Sequence, residues 1–237
     1  MGHLSSSSSR FEEFGSVNPD RVTTMALFAI VPAAGLSRRM GQPKLVMDLA
    51  GKTVIERLLT TLSHPAITET VVVFRQGDSE LAEALSSLPF SGVNTVRPEV
   101  DPPDMRSSVE YGLEAVRSRH TPQPDDGWLL IPADHPVLDH DVLDELIEAW
   151  QTTDEEILIP RHGGKSGHPT FFRWSTANRL AEIPNDKGLN WLRTAPGIRV
   201  RELPVSSDSI LLDLDTPEDY QRILLRAEST DRRTDQP

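Results

Sequence analysis

Cysteine is absent from the 237 residues, which excludes disulfides, thiolate zinc sites, iron–sulfur clusters and cysteine nucleophiles together. Any metal must be held by carboxylate, carbonyl, water or imidazole groups. No apolar run approaches the ~18 residues that would span a bilayer, and the N-terminus lacks the basic-then-apolar pattern of a secretory signal. The expectation is a cytoplasmic protein with no membrane partner. Basic side chains are in the minority, 24 against 36 acidic, for a formal charge of −12. The average surface would repel a phosphate backbone, so nucleic acid is not an expected partner. What is present suffices for a core: 37% of residues are hydrophobic, and at roughly 150 residues per domain the length suits one large α/β domain.

Residues 1–24 carry the serine run Ser5 to Ser9 and no apolar periodicity, and read as a flexible head or an expression remnant. Met25 directly precedes the first strand-like run and has the position of a natural start. The polar, charged residues 228–237 read as a flexible tail, leaving 25–227 as the folded domain. Short apolar runs alternate there with amphipathic segments, the pattern of βαβ units. Strands are predicted at Leu27 to Val31, Thr70 to Phe74, Val93 to Val96, Trp128 to Ile131, Ile157 to Ile159 and Arg199 to Leu203. A helix is predicted from Thr53, with Glu56 closing a capping box, and another from Asp139 with Val142, Leu143, Leu146, Ile147 and Trp150 on one stripe. The last opens at Thr216-Pro217-Glu218-Asp219, with a capping threonine, proline at the first helical position and Asp219 placed to close the box.

Ligands of open α/β sheets bind outside the carboxyl ends of the strands, which directs attention to the turn after the first strand. That turn, Ala33 to Lys44, holds Arg38, Arg39 and Lys44 with no acid among them, a local reversal of the overall charge. Its small residues allow close backbone approach, its amides can face phosphate oxygens, and its cations supply charge-assisted donors. The three glycines of a dinucleotide fingerprint are missing, so a nucleoside triphosphate fits better. Gly163-Gly164-Lys165-Ser166 imitates the end of a Walker loop, but Ile159 stands where its first glycine should be. His135, His162 and His168 match no standard metal-ligand spacing.

The segment Ala33 to Lys44 resembles the signature of the molybdenum cofactor nucleotidyltransferases and their wider group, and the resemblance extends over nearly all of residues 26–226. It implies a single three-layer α/β/α domain with a mainly parallel sheet, nucleotide-diphospho-sugar transferase-like. It also implies a loop that binds the triphosphate through Ala33, Ala34, Gly35, Ser37 and Arg39, with Arg38 and Lys44 neutralising it. Ala33-Ala34-Gly35 is similar to the start of the loop in cytidylyltransferase members, whereas guanylyltransferase members carry a glycine where Ala34 stands. The family's Mg²⁺ ligands correspond to Asp134, in Ala133-Asp134-His135-Pro136, and to Asp215, in Leu214-Asp215-Thr216-Pro217. These two aspartates, at predicted strand ends, are expected to meet within about 7 Å, since one Mg²⁺ takes one or two carboxylates plus phosphates and waters. Ser108 matches a serine that touches the nucleotide from the start of a helix. His135, Gly167, His168 and Asp186 fall on segments that line the acceptor side. The implied activity is transfer of CMP from CTP to molybdopterin with release of pyrophosphate, catalysed by Arg38, Lys44 and Asp134. Another phosphorylated acceptor, such as a sugar or polyol phosphate, is the alternative, and a non-catalytic nucleotide-binding accessory module is a third reading. Docking to a molybdoenzyme would follow from the first.

Overall fold

The computed structural model describes residues 25–234, with side chains to 231. The head at 1–24 lies outside the described residues. In chain order the elements are β1 (Leu27–Pro32), the ribbon β2 (Asp48–Leu49) and β3 (Lys52–Thr53), α1 (Val54–Leu62), β4 (Glu69–Val73), α2 (Ser79–Ser87), β5 (Val93–Val96), α3 (Met105–Arg119), β6 (Gly127–Leu130), α4 (His140–Gln151), β7 (Ile157–His162), β8 (Lys165–Ser166), β9 (Thr170–Arg173), β10 (Val200–Pro204) and α5 (Pro217–Thr234). The main sheet runs β10-β7-β9-β6-β1-β4-β5, with β8 folded onto β7.

β1 is the central strand. It pairs in parallel with β4, Ala29 opposite Thr70, and with β6, Ala29 opposite Leu129. Its run Leu-Phe-Ala-Ile-Val is buried throughout, as a parallel strand covered on both faces must be. Alternate residues feed two cores. Leu27, Ala29 and Val31 pack with Leu58 of α1, Leu81 of α2, Leu146 of α4 and Ile223 of α5. Phe28 and Ile30 pack on the other face with Val109 and Leu113 of α3 and with Leu180 and Leu192 of two 3-10 segments. The result is a three-layer α/β/α domain with a mostly parallel sheet. No helix among the described residues is long and apolar enough to cross a membrane.

Both predicted capping boxes form. Thr53 accepts from Glu56 N while Glu56 reaches back to Thr53 N, and Asp219 Oδ2 accepts from Thr216 N at 2.9 Å while Thr216 Oγ1 accepts from Asp219 N at 3.2 Å. Two features differ from the sequence reading. β9 inserts antiparallel between β6 and β7; four residues directly after a His-Pro turn are too few to show a period. The last helix continues past Ala227 to Thr234, because Asp231 at its end pairs with the buried Arg57 of α1 at 2.7 Å, a contact invisible along the chain.

Candidate functional site

The turn after β1 is shaped by its own backbone. Ala33 N donates to Val73 O at 2.8 Å, anchoring the loop's start to the end of β4. Ser37 (φ 48°) and Gly41 (φ 68°) adopt left-handed conformations, and Ser37 O accepts from Met40 N and Gly41 N. The chain thereby reverses and delivers Lys44 inward, where only 9% of it is exposed.

A lysine ammonium has three donors, and all three of Lys44 are engaged. Nζ donates to Asp134 Oδ2 at 2.6 Å, to Leu214 O at 2.7 Å and to Asp215 Oδ1 at 2.9 Å. Asp134 stands just beyond β6, Asp215 just before α5, and Leu214 N donates to Asp134 O at 2.9 Å, so the two segments are tied by backbone as well. Arg39, largely exposed, takes the other oxygen of Asp215 at 2.7 Å. Burial by itself pushes the Lys44 pKa down, but the charge and hydrogen bond of Asp134, then those of Asp215, outweigh it and hold the ammonium above its usual value. Burial likewise works to raise Asp215, and Lys44 and Arg39 together bring it below the usual carboxylate range. Asp213 is shifted upward by burial and by the charges of Asp215 and Asp134.

Ala33, Ala34, Gly35, Ser37, Arg38, Arg39, Lys44, Ser108, Asp134 and Asp215 all line one cleft of about 740 Å³ over the carboxyl ends of the strands. Arg38 is exposed and makes no hydrogen bond or ion pair among the described residues. Ser108 sits in the first turn of α3, its hydroxyl donating to Asp104 O at 3.2 Å. The residues expected on the acceptor side are not brought together in the same way. His135 is buried behind Asp134 with its Nδ1 unpartnered among the described residues, and its ring meets that of His168 edge-on at 5.2 Å. Burial lowers the pKa of both, that of His168 to about 4 with help from His135. Gly167 is a packing position: a Cβ there would stand 2.3 Å from Ile210 O. Asp186 is exposed, pairs with its neighbour Lys187 at 3.5 Å, and is not among the cleft residues.

The cleft also contains residues the sequence reading missed, chiefly Arg75 after β4 and the segment Asp101 to Pro103. The rule that ligands sit at strand carboxyl ends applies to β4 and β5 as well as to β1, but only the strand order shows which ends are adjacent.

Asp134 and Asp215 share one cation, so their nearest oxygens lie no farther apart than the two bond lengths to Nζ allow, inside the roughly 7 Å that a shared Mg²⁺ requires. Two carboxylates and no imidazole or thiolate form a hard, oxygen-only donor set, and no cluster of three or more acidic or histidine ligands occurs among the described residues. That set fits Mg²⁺, which takes its remaining ligands from phosphates and water.

Residues 29–199 match the model of the MobA-like NTP transferase domain. The 2-C-methyl-D-erythritol 4-phosphate cytidylyltransferase of Photobacterium profundum is 32% identical over 140 residues, 57% of this chain and 56% of that protein. The chain thus spans about half the length of the first such relatives it matches. The molybdenum cofactor cytidylyltransferase of Escherichia coli is 23% identical over 195 residues, covering 82% of this chain and 94% of that one. Among solved structures, Rv0371c of Mycobacterium tuberculosis superposes with a TM-score of 0.68 at 27% identity, covering 85% of this chain and 97% of that one. Its complex with manganese gives a TM-score of 0.64 at 25% identity, covering 85% of this chain and 98% of that one. The family model spans most of the chain, and the sheet topology agrees with the fold of these solved structures: this chain belongs to the MobA-like NTP transferase domain family.

Proposed function

We propose that the chain is a cytidylyltransferase that moves CMP from CTP onto the phosphate of a small-molecule acceptor and releases pyrophosphate. The observation that carries this reading is the convergence of Asp134, Asp215 and Lys44 at 2.6 and 2.9 Å beside a cationic loop in an open cleft. In the reaction an acceptor phosphate oxygen forms a bond to the α-phosphorus while the bond from that phosphorus to the bridging oxygen breaks, and the electron pair leaves with pyrophosphate. No general base is required, because a phosphate monoester is already largely ionised at neutral pH. Arg38, exposed and unpaired, is available to the β- and γ-phosphates, and Lys44 would turn one of its donors to them when a ligand displaces an aspartate. Arg39 holds Asp215 in place. Asp134 and Asp215 would hold Mg²⁺, a reading supported by the manganese complex of Rv0371c. When bound, the ion supplies charge neutralisation for the triphosphate and its leaving group.

For the acceptor, molybdopterin is the first reading, supported by near-complete coverage of the E. coli molybdenum cofactor cytidylyltransferase; docking to a molybdoenzyme would then follow. The second reading, a polyol phosphate, is favoured by the higher identity to the erythritol phosphate enzymes. His135, the residue after Asp134, and His168, whose ring it meets, do not line the cleft; on this reading they would support the wall on the acceptor side from behind. The test is pyrophosphate release from each of four nucleoside triphosphates with Mg²⁺, with molybdopterin or 2-C-methyl-D-erythritol 4-phosphate as acceptor. CTP should be preferred over GTP by tens to a few hundred fold, because the methyl of Ala34 narrows the cleft at a cost to the larger base of ~1–3 kcal/mol. Equal or better use of GTP would overturn the cytidylyl assignment, and no release with any pair would overturn the enzyme.

A further inference from the structure

A second guanidinium stands in the same cleft, outside the signature loop. Arg75 follows β4 by two residues and shares the cleft lining with Ala34 and Asp101. Its Nε is buried and has no hydrogen-bond partner among the described residues. Asp78, the acid that faces it, stands at 3.9 Å, beyond hydrogen-bond reach, and already caps α2 through Leu81 N at 3.2 Å. Being buried, Nε is out of reach of a ligand in the cleft; the terminal nitrogens make no hydrogen bond among the described residues either, and these are the donors that Arg75, as a lining residue, can offer a ligand.

The sheet order says which part of a ligand. Neighbouring strands lie ~4.8 Å apart, and β1 separates β4 from β6. Arg75 therefore stands two strand spacings, roughly 10 Å, from the end of β6 that carries Asp134. With the triphosphate at Lys44, Asp134 and Asp215 as proposed above, that distance puts Arg75 on the side of the cleft where the nucleoside would lie. At that end the loops after β4 and β5 are joined by Gln76 N donating to Asp101 Oδ1 at 2.9 Å, which gives Arg75 a fixed platform.

We propose that Arg75 reads the nucleobase, donating two parallel N–H bonds to a pair of adjacent acceptors on its edge; the inference rests on the reading of this cleft as a nucleoside triphosphate site. A guanidinium fork needs two neighbouring acceptors. Cytosine offers O2 and N3, and guanine offers O6 and N7. Uracil carries N3–H between its carbonyls, and adenine sets an amine beside N7. Arg75 thus separates C and G from U and A, while the Ala34 methyl separates C from G.

The test is equilibrium binding of non-hydrolysable α,β-methylene CTP and UTP, and of inorganic pyrophosphate, to the full chain with Mg²⁺, for wild type, Arg75→Ala and Arg75→Lys. Wild type should prefer the CTP analogue at least tenfold. Arg75→Ala should lose roughly ten- to a hundredfold in CTP affinity together with the preference, and Arg75→Lys, a point charge without the fork, should lose the preference too. Pyrophosphate affinity should stay within twofold in both, which also reports an intact fold; if the alanine variant does not fold, the lysine variant decides. Equal losses for pyrophosphate and CTP would make Arg75 a phosphate ligand and overturn the inference, as would an unchanged CTP to UTP ratio. A wild type that binds neither analogue overturns the nucleotide reading and this inference together, whereas two unaffected variants of a nucleotide-binding wild type overturn this inference alone.

Discussion

Lys44 does two things at once, and they are separable by measurement. Its ammonium neutralises two carboxylates that otherwise face each other, with side chains only about a quarter exposed or less. Lys44→Ala should therefore lower the unfolding free energy by about 1–3 kcal/mol and turnover at least a hundredfold. Added Mg²⁺ should raise the melting temperature of this variant more than that of wild type, since the ion would take over the neutralising charge. Activity within twofold of wild type would remove Lys44 from the site. His168 makes a second residue-scale prediction. Its native pKa is about 4 against ~6.5 in an unfolded chain, so between those values the unfolded state binds the extra proton. Stability should rise as pH increases from 4 to 6.5, by on the order of 3 kcal/mol, and this group should add nothing further above or below that window. His168→Gln should flatten urea midpoints compared at pH 7 and pH 4.5 by most of that amount. An unchanged slope would assign the acid sensitivity elsewhere.

Elements meet through a few polar ties as well as through the core. Arg57 of α1 is buried, and its guanidinium donates to Ala50 O at 2.8 Å and to Asp231 of α5 at 2.7 Å. Arg226 of the same helix reaches Asp139 at 2.8 Å, and so pins the start of α4 with a side chain in place of an ordinary cap. Asp139 itself makes no capping bond. Asp231→Ala leaves Arg57 with its carbonyl acceptors but no counter-charge. Because Asp231 is nearly half exposed, the loss should be about 1 kcal/mol, read as a shift in urea midpoint with pyrophosphate release unaffected. A larger fall in activity than in stability would mean that α5 reports to Asp215 at its other end.

At the scale of the whole molecule, an anionic nucleotide must approach a protein of formal charge −12. The cleft lining carries Arg38, Arg39, Lys44 and Arg75 against Asp101, Asp104, Asp134 and Asp215, so it is balanced in charge where the average surface is acidic. Lys44 and Arg39 are already paired, which leaves Arg38 as the freest steering charge on the loop. Arg38→Gln should slow CTP association several-fold at low salt and weaken its dependence on ionic strength, as followed by stopped-flow fluorescence between about 0.05 and 0.5 M NaCl. An equal slowing at both salt concentrations would assign Arg38 to the bound complex and not to long-range steering.

What was legible along the chain was local in its physics. The buried run of β1, the capping box of Thr53 with Glu56 and that of Thr216 with Asp219 each depend on residues within one turn or one strand, so pattern alone determines them. The signature turn was legible for the same reason, its small and cationic residues being consecutive. Its connection to Asp134 and Asp215 came from resemblance to a family, and the structure then placed both carboxylates on one ammonium. The strand β9 was not legible, since four residues carry no period and their place between β6 and β7 is a matter of pairing. Nor was the engagement of all three Lys44 donors, the burial of His135 behind Asp134, or the presence of Arg75 in the cleft. These depend on groups brought together across 90 and 171 residues in the case of Lys44, and on which strand ends become neighbours in the case of Arg75. Strand order is decided when two cores close on the two faces of one sheet. That is a free-energy balance of the entire chain, which no window of sequence contains.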